Sequence, residues 1–417
     1  MDVPLRRDGR VNHHSGPLRV LYIHHAGVPT GAGRSLLDLI DNLPRDAVLP
    51  HVLTPAGAFV DELVAREIPC VAVRGVAQFD DTAWGYYRGA RWLVLLRELS
   101  LLPATVSGLH EARRRWPAID LVHVNEITPL PALIAARRLF HVPAVVHVRS
   151  MQRRHASSWR GRWLHRVLRE QASAIVAIDE AVRRTLPDNV DVRVIRNSFS
   201  ARPATPSDPV AERIRRLGGT SMKVAMVGSL LRLKGVFEFV EAAALCRDRN
   251  VNATFFLVGN DVRHLGTVQA RVLAALGLAE NVAMALRQRI SSLGLDNHVH
   301  LVGFTPNIAS VYQAIDVLCF ASHLDAPGRP VFEAALSGVP SIVAIRQPTC
   351  GSFRPAETGI GIDAPTPERI ASAVALLAAN PSQRSAMGDA ARTWAAQMHD
   401  GAQNARSMLA LYRSLLP

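Results

Sequence analysis

The stretch Ser322-His-Leu-Asp-Ala-Pro-Gly-Arg-Pro-Val-Phe-Glu-Ala-Ala-Leu-Ser-Gly-Val-Pro340 decides the reading of this chain. Two carboxylates, Asp325 and Glu333, stand seven residues apart across a Gly/Pro turn. Glu333 reads as the opening of a short apolar helix that Gly338 closes, and a β-branched strand, Ser341-Ile-Val-Ala-Ile345, follows. One acid then lies on a strand-end loop and the other in the first turn of the next helix. Both flank a helix N-terminus, where unpaired amides favour anions. Acids for hydroxyls and amides for phosphate suit a sugar joined to a diphosphate. Taken singly, each acid has a plainer explanation. Glu333 complements a helix dipole, worth ~0.3–1 kcal/mol, and Asp325 is a solvated turn residue. The block as a whole favours the ligand site.

A second block agrees. Lys223-Val-Ala-Met-Val-Gly228 reads as a buried strand, then Ser229-Leu-Leu-Arg-Leu-Lys-Gly235, then the helix Val236–Leu245. The 48 basic residues include only two lysines, Lys223 and Lys234. A chain that strongly prefers arginine nevertheless puts a lysine before Gly235, at a strand-to-helix turn. A compact ammonium there is a natural phosphate contact, unlike the planar arginine fork. Lys223 reads as an ordinary surface residue.

Together the blocks resemble the C-terminal half of the retaining glycosyltransferases of family four, the group-one glycosyltransferases. Their signatures are Gly-Arg-Leu-x-x-x-Lys-Gly after a strand, and Glu-x7-Glu running into Glu-Ala-Met-Ala-x-Gly-x-Pro. Here they stand as Gly228-Ser-Leu-Leu-Arg-Leu-Lys-Gly235 and Asp325-x7-Glu333-Ala-Ala-Leu-Ser-Gly-Val-Pro340. Ser229 replaces a phosphate-binding arginine of the family, with Arg232 the candidate substitute, and Asp325 replaces a glutamate.

The resemblance implies the GT-B architecture: an α/β fold of two Rossmann-like doubly wound domains facing across a cleft, with a C-terminal helix crossing back to the first. It also implies transfer of a sugar from a nucleotide-diphosphate sugar to a glycan, lipid or small-molecule acceptor, with retention. Under it, His147, Asp325 and Lys234 are the catalytic candidates. His147 lies near the transferred sugar's hydroxyls, Asp325 takes its 3- or 4-hydroxyl, and Glu333 the ribose. The phosphates fall to Lys234, the Ser229/Arg232 turn, the Gly31–Gly33 loop and the amides of Gly328, Arg329 and Val331; Pro327 and Pro330 have no N–H to offer. Such electrostatic stabilisation of the leaving group, with no Asp-x-Asp motif present, leads to no metal and no cofactor beyond the donor substrate. The alternatives are a nucleotide-sugar epimerase on the same fold and a non-catalytic GT-B protein that binds glycan or membrane.

Composition fits two or three soluble domains: 417 residues, 48% hydrophobic and 20% charged, with a net charge of +13 that favours anionic partners. Four cysteines, Cys70, Cys246, Cys319 and Cys350, have no metal-ligand spacing. With no disulfides expected and no apolar leader in the polar first 16 residues, the expected location is cytoplasmic, at most at the inner face of a membrane. No run reaches the ~18 apolar residues of a span; the nearest, Trp92–Leu102, is interrupted by Arg97 and Glu98.

Strand–helix alternation recurs throughout. Leu18–Ile23 is a first buried strand, followed by the loop His24–Gly33 and a helix Arg34–Leu43, the opening of a Rossmann-like unit without a Gly-x-Gly-x-x-Gly fingerprint. Further strands are His51–Thr54, Cys70–Val73, Asp120–Asn125, Ala144–Val148, Ala174–Ile178 and Val192–Ile195, with a long amphipathic helical region over 84–115. Parallel strands place His123, Asn125, Glu126, His147 and Arg149 on the ligand-binding rim. The second half supplies Lys223–Val227, Thr254–Val258, Val299–Val302, Val317–Phe320 and Ser341–Ile345. The expected layout is a disordered tail over 1–16, an acceptor domain over 17–200, a proline-rich linker over 201–220, a donor domain over 221–393 and a crossover helix over 394–417. Finally, Arg149–Arg169 carries seven arginines and no acid, with Trp159 and Trp163 between them. It is a candidate contact for an anionic membrane surface. Nucleic acid is not expected, because no reader motif accompanies the patch.

Overall fold

The structure is a computed structural model. It describes residues 16–83, 85, 87, 92–153, 159–199, 203–205, 207–259, 281–349 and 351–416. The expected tail through residue 15, Arg154, Cys350, the start of the helical region at 84 and, in the proline-rich segment, Ala201, Arg202 and Pro206 lie outside the described residues.

The chain forms two compact units, one of 1–198 with 401–417 and one of 199–400. The first is built on seven parallel strands: β1 (Leu18–Ile23), β2 (Val48–Pro55), β3 (Cys70–Val73), β4 (Leu121–Val124), β5 (Ala144–Val148), β6 (Ala174–Ala177) and β7 (Val192–Val194). Their order is β3-β2-β1-β4-β5-β6-β7. Such strands are covered by helices on both faces and read as continuous apolar runs. In β1, Leu21 and Ile23 enter one core cluster, while Leu18, Val20 and Tyr22 enter the other.

The second unit holds β8 (Met222–Val227), β9 (Ala253–Val258), β10 (Val299–Gly303), β11 (Val317–Phe320), β12 (Ser341–Ala344) and β13 (Gly359–Ile362). Their order is β10-β9-β8-β11-β12-β13, again parallel throughout. Both sheets reverse direction beside their first strand, β1/β4 in one and β8/β11 in the other. In open α/β sheets that switch point, at the carboxyl ends of the strands, is where ligands bind. Each unit is therefore a Rossmann-like, doubly wound domain.

Three features differ from the sequence expectation. The segment 201–220 is not all linker, because Pro209–Gly218 is a helix whose Ala211 and Ile214 enter the second core. Asp208 caps it, accepting from the amides of Val210 and Ala211 at 3.0 Å, and Pro209 at the first helical position needs no amide partner. The strand β13 had no sequence signature, since Gly-Ile-Gly-Ile offers half the side chains a strand normally shows. At the C-terminus, Pro381–Met398 belongs to the second unit, and only Gly401–Ser414 returns to the first. There Ala405, Met408, Leu411 and Tyr412 pack with Leu36 and Ile40 in one cluster.

Candidate active site

In the second unit the switch point is formed by the segments that leave β8 and β11. β8 ends in the turn Gly228-Ser229, a single 3₁₀ turn spans Arg232–Lys234, and Gly235 opens the helix Val236–Asp248. Gly235 has φ +77°, and the carbonyl oxygen of Ala321, just past β11, lies 2.0 Å from where a Cβ would stand. Only glycine lets the two segments meet so closely. The contact is reinforced by the His323 amide donating to the Leu233 carbonyl at 3.0 Å, and by His323 Nε2 against Glu238 Oε1 at 2.9 Å.

Lys234 folds back beneath this turn. Its Nζ lies 2.9 Å from the place a Cβ on Gly228 would take. The side chain is half-buried, and its desolvation pushes the pKa down. Among the described residues neither a carboxylate nor a hydrogen-bond acceptor engages it. A partly desolvated ammonium lacking a counter-charge, at a switch point, is suited to an anion from outside the protein. Lys223 behaves differently: its amide donates to Asp316 at 2.7 Å and its Nζ lies 3.9 Å from the same carboxylate. Ser229 is exposed on the turn. The Arg232 guanidinium lies 4.1 Å over the Phe237 ring.

The two acids are less free than their spacing suggested. The helix runs Arg329–Leu336 with Gly328 as N-cap, so Glu333 lies in its second turn rather than its first. Pro330 is the cause: read as part of a turn, it instead occupies the first turn of the helix, where its missing N–H costs nothing. Glu333 Oε1 accepts from Arg329 Nε at 2.5 Å, and Oε2 from the Tyr312 hydroxyl at 2.9 Å. Arg329 in turn lies 4.7 Å over the Phe199 ring. Asp325 sits in left-handed backbone at φ +54°. Its carboxylate accepts from the Arg346 amide at 2.7 Å and from Arg346 Nε at 3.0 Å. The Val331 amide, a proposed phosphate donor, instead donates to the Gly328 carbonyl at 3.0 Å. Gly328 is fixed by packing, since a Cβ there would lie 2.5 Å from the Phe320 ring.

In the first unit the switch point holds a buried polar network. Arg149, one residue past β5, is its hub. Its Nε donates to Asn125 Oδ1 at 2.8 Å, Nη1 to Asn197 Oδ1 at 2.5 Å, and Nη2 to His147 Nδ1 at 3.2 Å. Its amide donates to Glu126 Oε1 at 3.2 Å, while the Ser150 hydroxyl donates to Glu126 Oε2 at 2.6 Å. The His147 ring stands edge-on to His123 with centroids 5.3 Å apart, and His123 Nδ1 meets the Tyr412 hydroxyl at 2.7 Å. Expected on an open rim, His123, Asn125, Glu126 and His147 are instead buried. Burial, with the positive Arg149 as a lesser cause, pushes His147 and His123 well below the usual histidine range, so both rings are neutral.

Three members were not anticipated. His24, in the loop after β1, joins the network, with Asn125 Nδ2 3.1 Å from its Nδ1, and the His25 ring packs edge-on against His24 with centroids 5.1 Å apart. Tyr412 arrives from the C-terminal helix. The adjacent His24-His25 pair at the end of β1 was a readable signal, whereas nothing local marks Tyr412. Gly31 and Gly33 also lie elsewhere than expected, in the first turn of the helix Gly31–Asn42 rather than a loop. Thr30 caps that helix, accepting from the Gly33 amide at 3.4 Å, which takes Gly33 out of the donor set. Among the described residues nothing lies within 4 Å of a Cβ built on Gly31, which leaves room for a ligand to approach there.

The pattern of Glycosyl transferases group 1 matches residues 211–394, and that of Glycosyltransferase Family 4 matches 29–201. The chain belongs to the group 1 glycosyl transferases. Among curated relatives, the D-inositol 3-phosphate glycosyltransferases of Corynebacterium urealyticum and Segniliparus rotundus are 25% identical over 217 residues and 27% over 234. Those matches cover 50% and 55% of this chain, and the chain spans about half the length of the curated relatives, 47% and 46%. Among solved structures, Anabaena HepE in complex with UDP and glucose superposes with TM-score 0.74 at 20% identity, over 95% of this chain and 100% of that one. Sucrose-phosphate synthase of Thermosynechococcus elongatus gives 0.70 at 17%, over 95% and 99%. At these identities the structures establish the shared GT-B fold.

Proposed function

We propose that this group 1 family member is a retaining glycosyltransferase that takes its sugar from a nucleotide-diphosphate sugar. The observation that carries the reading is Lys234, an ammonium without a counter-charge among the described residues, at the switch point of the second unit. UDP in the HepE structures and the glycosyltransferase names of the curated relatives support it.

In this reading the diphosphate is held by Lys234, the Gly328 amide and the turn carrying Ser229. The helix Arg329–Leu336 adds the positive end of its dipole. As the bond to the anomeric carbon breaks, negative charge grows on the departing phosphate, and fixed positive groups stabilise that charge without reorganising. No protein-bound metal or further cofactor is assigned. Glu333 acts on the donor through Arg329 and Tyr312, or exchanges them for ribose hydroxyls when donor binds. Asp325 is assigned to a sugar hydroxyl, held in place by Arg346. His147 is the catalytic candidate of the first unit, where a neutral ring can donate a hydrogen bond without adding charge. The Gly31 end of the helix Gly31–Asn42 is a second phosphate contact. The acceptor is a glycan or a lipid-linked molecule, and the enzyme works in the cytoplasm, at the inner face of an anionic membrane.

A thermal-shift panel of nucleotide sugars selects the donor, after which nucleoside-diphosphate release and the product's anomeric configuration are measured. Release with a retained configuration is the expected result. Interconversion of the donor sugar without transfer would mean an epimerase, and binding without turnover a non-catalytic protein.

A further inference from the structure

The helix Trp92–Ser100 is built with its polarity reversed. Glu98 is 4% exposed, while Leu93, Leu96 and Leu99 are 59%, 63% and 50% exposed and Trp92 41%. The buried carboxylate accepts from the Gln78 amide at 3.1 Å, with Arg97 3.5 Å away. A helix of a water-soluble protein places its leucines inward and its acid outward. Here three leucines at spacing three form an outward row, and Val106, 40% exposed, extends it into the next helix, Leu102–Arg115.

The residues Trp92–Arg115 together are long and apolar enough to cross a membrane. The second helix argues against crossing. Its Leu109 and Ala112 are buried in the core of the first unit, and Thr105 accepts from the Ala77 amide at 2.8 Å. The leucine row therefore lies along the surface of a folded unit.

Charge surrounds the row. The Arg160 guanidinium lies 5.3 Å over the Trp92 ring and donates to the Tyr87 carbonyl at 2.8 Å, joining the start of the helix Trp159–Gln171 to this one. Trp159 is 60% exposed. Arg162, Arg166 and Arg169 are exposed on that helix, against a single acid, Glu170. The expected basic patch is thereby narrowed, since Arg149 lies in the buried network and Arg153 pairs with Asp81 at 3.5 Å. A cavity of about 570 Å³, lined in part by His25, Arg74, Arg97, Ser100 and Leu101, opens beside the same helix at the carboxyl ends of β1 and β2.

We propose that Trp92, Leu93, Leu96 and Leu99 insert into one leaflet of an anionic bilayer, with Trp159 and the neighbouring arginines at the headgroups. Apolar insertion plus anionic attraction is how in-plane helices bind membranes, and tryptophan and arginine suit the boundary layer. The inference rests on the membrane-side reading above, but it assigns the apolar half of the contact to a helix outside the arginine segment.

The test is co-sedimentation of the full chain with vesicles of phosphatidylcholine, alone or mixed with phosphatidylglycerol. The unchanged chain should pellet with the mixed vesicles and keep part of its binding at high salt, because apolar insertion is not screened. The triple variant Leu93→Gln, Leu96→Gln, Leu99→Gln should bind roughly tenfold less at equal lipid and keep its melting temperature and nucleotide-sugar binding. Brominated lipid should quench tryptophan fluorescence of the unchanged chain, a result that needs no variant to fold. Undiminished binding by the triple variant, or pelleting without quenching, overturns the insertion and leaves the arginines as the contact. A solution dimer that the triple variant dissolves also overturns it, because the row would then be covered by a second copy. Loss of sugar transfer with vesicle binding intact bears on the proposed function alone.

Discussion

Arg149 donates from Nη2 to His147 Nδ1 at 3.2 Å, and this contact fixes where the histidine carries its proton. A guanidinium has no acceptor, so Nδ1 must be bare and the proton must be on Nε2. That Nε2–H is buried and has no partner among the described residues. His147 is thus a neutral donor held in one tautomer, and the holder also organises Asn125 and Asn197.

Arg149→Lys should therefore be far from conservative. A single ammonium cannot serve three acceptors that a planar fork reaches together. Each side chain left unpaired in the interior costs about 1–3 kcal/mol. We expect a clear fall in melting temperature and, under the proposed function, a lower kcat with little change in donor KM. A lysine variant with unchanged melting temperature and kcat would remove Arg149 as the organiser.

Glu333 is tied to Arg329 and Tyr312, so its replacement should act through them. Glu333→Gln weakens a charge-assisted pair worth about 1.5–3 kcal/mol and releases Arg329 at the helix start. The predicted result is weaker donor binding in both Glu333→Gln and Arg329→Gln, with a double variant no worse than the poorer single one. Additive losses in titration calorimetry would mean that the acid contacts ligand independently of the arginine.

What the sequence could and could not reveal is visible in these same residues. The apolar runs of β1 and β8 and the glycine turn before Lys234 are local signals, and they located both switch points. Glu333 was displaced by one helical turn because proline in Gly-Arg-Pro is equally at home in a turn and in the first turn of a helix. The threonine ahead of Gly31-Ala-Gly33 was a legible N-cap, which would have moved those glycines from loop to helix. By contrast, Tyr412 meets His123 across 289 residues, and no periodicity encodes such a pairing. The helix Trp92–Ser100 was evident as a helix, but which of its faces turned inward depends on the Gln78 amide that receives Glu98.

The buried histidines set a pH dependence. His24, His123 and His147 are all held well below the ordinary histidine range, chiefly by burial. The unfolded chain takes up these protons near pH ~6.5, and the folded chain does so only at lower pH. Their contribution is therefore complete above about pH 6.5 and is lost as pH falls towards the folded values, at about 1.4 kcal/mol per pH unit for each histidine. The raised carboxyls of Asp81, Glu98 and Asp179 act in the opposite sense, by binding protons more readily in the folded state. Melting temperature should fall on acidification from pH 7 to pH 5, and less steeply in His123→Asn. Parallel slopes in the variant and the parent would show that His123 takes up its proton equally in both states.

Lys234 offers the sharpest division between a ligand contact and a structural one. Lys234→Ala removes a charge with no partner among the described residues, so the fold should lose little, and relief of its desolvation should offset part of the lost packing. Under the proposed function, nucleoside diphosphate should bind more weakly by about 1.5–3 kcal/mol, the value of a charged hydrogen bond, while the nucleoside alone binds as before. Ser229 completes the comparison. It is exposed on the same turn, and Arg232 lies over the Phe237 ring, so Arg232→Ala should change diphosphate binding little. Ser229→Arg adds a guanidinium where the family carries one and should tighten diphosphate binding without touching the nucleoside. Equal weakening of both ligands in Lys234→Ala would assign the lysine to the fold. The absence of any gain in Ser229→Arg would mean that the turn does not face the phosphates.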